Sequence, residues 1–175
     1  MLYKSIKTYG SWNGLSCCFR QWRADSHCKF LHGYPLEIRI EFCAHNLDER
    51  NWVIDFGGLK RFKSHIEATF DHKTLVAQDD PRLDDITYLS QLEVADVLVV
   101  ENTGCELFAK LVYDFAEMWL EGEGQDHRVW IGLVEVREHP GNAAQFIPSR
   151  QEPNRRRLAK MAEILRNKAL TEGAG

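Results

Sequence analysis

The chain has 175 residues, of which 44% are apolar, and its formal net charge is −4. That length suits one domain with a full hydrophobic core, the charge offers no general attraction to nucleic acid or an anionic membrane, and no apolar run is long enough to cross a bilayer. Five cysteines without framework spacing and an N-terminus, MLYKSIKTYG, without an apolar signal core lead to the expectation of a cytoplasmic protein with free thiols.

In chain order, GLSCCFRQWR reads as a strand with Leu15, Cys17, Phe19 and Gln21 on one side. GYPLEIRIEFC alternates cleanly: Tyr34, Leu36, Ile38, Ile40 and Phe42 share one face, and Glu37, Arg39 and Glu41 the other. Period two predicts a strand with one covered face, and His32 starts on the covered side. The two runs are expected to pair antiparallel across a short loop holding Ser26, His27 and Cys28. From DFGGLK onward the period changes. Leu59, Phe62, Ile66 and Phe70 recur at helical spacing, with Asp55 a candidate cap. The polar stretch from Gln78 to Asp85 reads as a surface loop, and ADVLVVEN as a short strand or buried connector. A second helix starts near Thr103, with Leu107, Phe108, Leu111, Val112, Phe115 and Trp119 as its apolar stripe. RVWIGLVEVRE is a strand; HPGNAAQF is a Pro-Gly loop and another short strand. The residues after Pro153 read as a basic amphipathic helix, with Leu158, Met161 and Leu165 on one face. No aromatic interleaving marks that tail as a nucleic-acid arm.

Strand, strand, helix, helix, strand, strand and a tail predict an α+β layer, with helices on one face of an antiparallel sheet. The expected division is a domain over 1–149 and a basic helical tail over 150–175.

Three constellations could carry chemistry. Cys28 with His27 and His32 could supply a thiolate base or metal ligands, although a structural cysteine between two loop histidines fits the spacing equally. Asp71 beside His72 could orient an imidazole for proton transfer, or merely end a helix. Glu138, at a strand end, could accept two N–H bonds from a flat heterocycle by the fork geometry of carboxylate pairs, or be a solvated glutamate.

Five segments, in order over about residues 3–147, resemble the 6-pyruvoyl-tetrahydropterin synthase and 6-carboxytetrahydropterin synthase family. CKFLHGY resembles its Cys-x3-His-Gly-His run, NWVIDFGGLK its GMVIDFGDLK stretch, and FDHKTL its LDHKxLN. NTGCELFAK resembles its Pro-Thr-x-Glu-Asn-Leu helix start, and EVREHPGNAAQF its VxVxETPTNxAxY. The resemblance implies the tunnelling fold: a four-stranded antiparallel sheet with two helices on one side, three subunits closing a barrel, and two trimers stacked as a homohexamer with active sites between subunits. It implies 7,8-dihydroneopterin triphosphate as substrate and loss of triphosphate. The product would be 6-carboxytetrahydropterin, a step toward 7-deazaguanine compounds such as queuosine, or a pyruvoyl-tetrahydropterin. Carried over by position, Cys28 is the base, Asp71 and His72 are the proton-transfer pair, and Glu138 anchors the pterin.

The family's zinc is held by three histidines, and here the pattern departs. Arg23 stands at the first ligand position, His32 is retained, and Tyr34 replaces the third histidine. Three readings stay open. His27 joins His32, with Tyr34 as a weak ligand; or zinc is absent and Arg23, Arg20 and Lys29 supply positive charge for the triphosphate or an oxyanion; or the site is inactive and the domain only binds a purine or pterin. The family's helix-start glutamate falls on Cys105, with Glu106 one place on as the candidate secondary pterin contact.

Overall fold

The computed structural model describes residues 1–10, 12 and 14–149; the expected helix over 150–175 lies outside the described residues. Seven strands and three α-helices follow one another: β1 Tyr3–Tyr9, β2 Leu15–Phe19, β3 His32–Ala44, α1 Lys60–Phe70, β4 Lys73–Ala77, α2 Leu83–Gln91, β5 Val97–Val100, α3 Cys105–Gly122, β6 Val129–His139 and β7 Asn142–Phe146.

The antiparallel heart of the sheet is β3, β6 and β7, with β1 and β2 end to end along the other edge of β3. Two half-strands therefore do the work of the fourth strand. β1 ends with Tyr9 opposite Ile38, and β2 begins with Leu15 opposite Leu36. Across this break, opposite Glu37, the Gly14 N–H donates to the Gly10 carbonyl at 2.8 Å. Beyond β2 the sheet continues through β4 and β5, both parallel to their neighbours. The result is a mixed sheet of α+β, tunnelling type.

Period two decides which side is buried. Leu36, Ile38, Ile40 and Phe42 of β3 and Val134 and Val136 of β6 point into one core, where they meet Phe62, Ile66 and Phe70 of α1 and Phe108, Val112, Ala116 and Leu120 of α3. Both long helices thus cover the same sheet face. The other face carries charge: Glu41 accepts from Lys4 at 2.8 Å and from Arg39 at 2.5 Å, and Glu135 from Arg137 at 2.7 Å and Gln145 at 2.6 Å. Burial alone would raise both carboxyls, yet these bonds hold them below the usual carboxylate range.

Several elements differ from the sequence expectation. β1 mixes Lys4, Lys7 and Thr8 with apolar residues, and only Tyr9 is buried, because it is a margin strand with one neighbour. The apolar run of β4 is short and wholly covered, so it carries no alternation. The stretch read as a loop from Gln78 to Asp85 turns into α2. Its first turn carries Asp84 and Asp85, which suit a helix N-terminus, and it buries only Ile86. ADVLVVEN contains β5, paired with β4. In α3 the stripe was drawn too wide: Leu107 is 42% exposed, and Cys105 and Ala109 face inward instead. Asp55 caps as expected, but it caps a 3-10 turn over Phe56–Leu59 that leads into α1, accepting from the Gly57 N–H at 2.7 Å.

The insertion between β1 and β2 depends on Gly14. Its φ is +72°, and a Cβ there would sit 2.2 Å from that of Pro35. Replacing Gly14 with alanine combines a left-handed conformation with a backbone clash. We expect Gly14→Ala to destabilise the fold by roughly 1–3 kcal/mol, seen as a lower midpoint in thermal melts. An unchanged midpoint would show that the insertion can reshape freely.

Candidate active site

The candidate residues gather at the end of the sheet where β3 begins, and backbone hydrogen bonds explain why. After β2 the chain makes a short excursion and returns through a 3-10 turn, His27–Lys29, capped by the Ser26 side chain. Gln21 N–H donates to the Cys28 carbonyl at 2.9 Å, and Arg20 donates to the Lys29 carbonyl at 3.2 Å. The same arginine makes a two-pronged pair with Asp80, Nε to Oδ2 at 2.7 Å and Nη2 to Oδ1 at 2.6 Å. The Asp80 side chain is 1% exposed. The Arg20 hydrogen bonds hold its carboxyl below the usual carboxylate range. Thr103 donates its hydroxyl to the Arg20 carbonyl at 2.7 Å, and Gln21 Nε2 donates back to the Thr103 carbonyl at 3.2 Å. The turn bearing Cys28 is thereby tied both to the exit of β4 and to the start of α3. Gly104, at φ +115°, admits Gln21: a Cβ there would lie 2.1 Å from its amide nitrogen.

Glu138 arrives from the other side. It continues the inward parity of Val134 and Val136, and the β6–β7 register shifts between Arg137 and His139. A bulge of this kind re-aims one side chain. The Glu138 carboxylate hydrogen-bonds the Cys105 thiol. Burial first, then Glu138, pushes that thiol well above its ordinary pKa, so Cys105 stays protonated. Burial likewise pushes Cys17 up to about 12. Cys105, Glu106, Glu138 and the turn at Gly141–Ala144 line a hollow of about 320 Å³.

Tyr34 stands between these two sets. Its ring packs against Phe19 at 6.1 Å, His32 at 5.4 Å and His139 at 6.1 Å between centroids. Burial, then the charges of Glu138, Cys28 and Cys105, raise its phenol above the usual value. Its contact with His139 sets Tyr34 beside the strand end that carries Glu138.

Asp71 and His72 follow α1. Asp71 accepts the Ser16 N–H at 2.9 Å, His72 N–H donates to the Ser16 carbonyl at 2.6 Å, and the two side chains face each other at 3.1 Å. His72 takes a left-handed φ of +58°, a conformation that costs a non-glycine residue of order 1–3 kcal/mol and collects at functional sites. Its side chain is 84% exposed. It borders a cleft of about 580 Å³ whose wall includes Cys17, Gly33 and Tyr34.

The cationic candidates are engaged differently from the sequence expectation. Arg20 is held by Asp80. Arg23 lies 4.0 Å over the Trp22 ring and pairs with Asp79, which also accepts from Trp22 Nε1 at 3.2 Å. Lys29 is exposed, its ammonium 5.5 Å from the Phe30 ring centroid. Zinc does not fit the donors present. No group of three His, Cys, Asp or Glu side chains able to hold a metal occurs among the described residues. His32 Nδ1 is 2.7 Å from the Phe30 carbonyl, and His27 is exposed on the capped turn.

Sequence reasoning missed Cys105 as the partner of Glu138, and Asp79 and Asp80 as the partners of the two arginines. The doubled aspartate just after an apolar run was the available signal.

The fold is the tunnelling type of the pterin synthases. A sequence model of the family described as 6-pyruvoyl tetrahydropterin synthase matches residues 12–148. The chain belongs to that family and is an enzyme of the pterin synthase, lyase type. It is 32% identical over 97 residues to the 6-carboxy-5,6,7,8-tetrahydropterin synthase of Rickettsia typhi, covering 50% of this chain and 70% of that one. It is 35% identical over 57 residues to the enzyme of the same name from Rickettsia bellii, covering 32% and 41%. The fold is similar to that of an uncharacterized protein from Wolinella succinogenes, with TM-score 0.70, 19% identity, and coverage of 85% of this chain and 99% of that one. It is also similar to 6-pyruvoyl tetrahydropterin synthase from Plasmodium vivax, with TM-score 0.59, 13% identity, and coverage of 83% and 97%.

The buried Arg20–Asp80 pair yields a test. Removing the carboxylate strands a mostly buried guanidinium, so Asp80→Ala should cost about 3–5 kcal/mol. Because Asp80 has a depressed folded pKa, its contribution is full above the unfolded carboxyl value near 3.9 and is lost as pH falls through the folded value. Denaturant titrations of wild type and Asp80→Asn should therefore differ most at neutral pH, and the gap should shrink as the pH falls below the unfolded carboxyl value of about 3.9. A pH-independent gap would contradict the ion pair.

Proposed function

We propose that this enzyme converts 7,8-dihydroneopterin triphosphate to 6-carboxytetrahydropterin with loss of triphosphate, in the cytoplasm, toward 7-deazaguanine compounds. What supports the reading is the family match over residues 12–148 together with Glu138 lining a hollow with Cys105 and Glu106, and the Asp71–His72 side chains facing each other at 3.1 Å. The names of the Rickettsia relatives favour the carboxy product over the pyruvoyl one.

In this reading Glu138 grips the amino and ring N–H edge of the pterin, with charge-assisted bonds that fix the ring. Glu106, on the same hollow, makes a secondary contact. Cys28, as thiolate, removes a proton from a side-chain carbon, and the electron pair left behind drives departure of the triphosphate. Asp71 keeps His72 Nδ1 engaged so that the other ring nitrogen can pass a proton. Lys29, on the same turn as the thiol, meets the triphosphate, and Arg23 exchanges Asp79 for phosphate oxygens. The family's zinc would polarise a side-chain oxygen where it is bound; His32 and His27 do not assemble a ligand set for it among the described residues.

The pair at His72 belongs to a site completed between subunits, and a homohexamer is the expected assembly. Both outer strands and β1 leave backbone edges to be covered. Sedimentation at micromolar concentration should give a species several times 20.3 kDa; a monomer alone would remove the shared site.

Purified enzyme supplied with substrate should release triphosphate, and the product mass should show loss of a two-carbon fragment. Cys28→Ala should lower turnover by at least about 10²-fold, the usual scale for losing a positioned base, while leaving the melting temperature within a few degrees. Retention of the fragment would identify pyruvoyl-type chemistry. Turnover unaffected by Cys28→Ala would remove the thiol from the mechanism. Binding of pterin with no turnover at all would favour a binding module.

A further inference from the structure

Beside the β6 end that carries Glu138, where Tyr34 meets His139 at 6.1 Å, a substrate oxygen needs a partner, and the cations that could serve are occupied or turned aside. Arg20 is buried in its pair with Asp80. Arg23 is stacked on Trp22 and bound to Asp79. The ammonium of Lys29 lies beside Phe30. Metal ligands do not gather. What does stand there is a phenol. Tyr34 is placed by its pairing opposite Cys17 in β2 and by rings on three sides, Phe19, His32 and His139. It also lines the cleft that His72 borders.

On this geometry, and resting on the proposed pterin reaction, we infer that Tyr34 is a catalytic hydrogen-bond donor to the substrate's side-chain oxygen in a site that works without zinc. A tyrosine hydroxyl is neutral at physiological pH and both donates and accepts. It can therefore sit among the acidic groups Glu138, Cys28 and Cys105 without neutralising them or being repelled by them. Fixed by its ring contacts, it needs no reorganisation as charge grows on the oxygen, and that is the condition under which one donor matters most. His32, edge-on to the phenol at 5.4 Å, positions that ring. Its Nδ1 is engaged by the Phe30 carbonyl, which fixes the imidazole in turn.

Tyr34→Phe keeps the ring and removes only the hydroxyl. Losing one such donor should reduce kcat by roughly 10²-fold, with KM raised by no more than about tenfold, the scale of one ground-state hydrogen bond, and the melting temperature unchanged. Wild-type protein purified without chelator, then incubated with zinc and desalted, should hold well below one zinc per chain by elemental analysis. Its turnover should survive 1,10-phenanthroline. The inference is overturned by kcat within about threefold of wild type in Tyr34→Phe, or by one zinc per chain that His32→Ala removes. If wild type shows no turnover, the pterin reaction fails rather than the donor, and fluorescence titration then decides. Tyr34→Phe should bind neopterin about tenfold more weakly, the scale of one hydrogen bond, and bind 6-methylpterin, which lacks the hydroxylated side chain, as well as wild type does. Equal affinity for neopterin, or equal losses for both pterins, would sink the assignment.

Discussion

The two-pronged contact of Arg20 with Asp80 is the constraint on which the functional end of the molecule depends. Asp80 is buried at the exit of β4, and Arg20 closes β2. Through its remaining nitrogen and its carbonyl, the arginine reaches the turn that carries Cys28 and the threonine that precedes α3. A mostly buried ion pair of this kind contributes little net stability compared with an apolar pair of equal volume. Its use here is positional: three segments distant in sequence are fixed to one guanidinium. The thiol and the Cys105–Glu138 contact thereby acquire a common frame.

That frame changes the meaning of the altered metal positions. A guanidinium at Arg23 facing Asp79, and a phenol at Tyr34 packed on Phe19, His32 and His139, are not the remains of a metal centre that has otherwise been kept. They have partners of their own. Asp79 is held below the ordinary carboxylate range first by its hydrogen bond from Arg23, and Tyr34 is enclosed by three rings. In the proposed reaction, the chemistry a cation would supply falls to neutral donors and surface ammonium groups.

Much of this was legible in the residues. The clean alternation of β3 and the helical spacing of Leu59, Phe62, Ile66 and Phe70 identified the sheet face and the helix that covers it, since burial on one side writes its period into sequence. The antiparallel pairing of β2 and β3 was readable for the same reason. What was hidden had no period to show. β1 mixes polar and apolar residues on both sides of its backbone, β4 is covered on both sides, and α2 buries a single side chain. At the site, Cys28, Asp71, His72 and Glu138 were visible through local motifs. Their connections were not, because Asp80 and Thr103 act across 60 and 83 positions of chain, and nothing local marks a partner that far away.

The broken first strand leaves the sheet with a stepped margin. Alongside the C-terminal half of β3 the sheet stops at β1, whereas alongside its N-terminal half it runs on through β2, β4 and β5. A strand from another copy laid against β1 can slide only until it abuts β4. Steric end-stops of that sort set alignment without any side-chain code, so the offset at which two copies could join along that border is already written into where β2 begins.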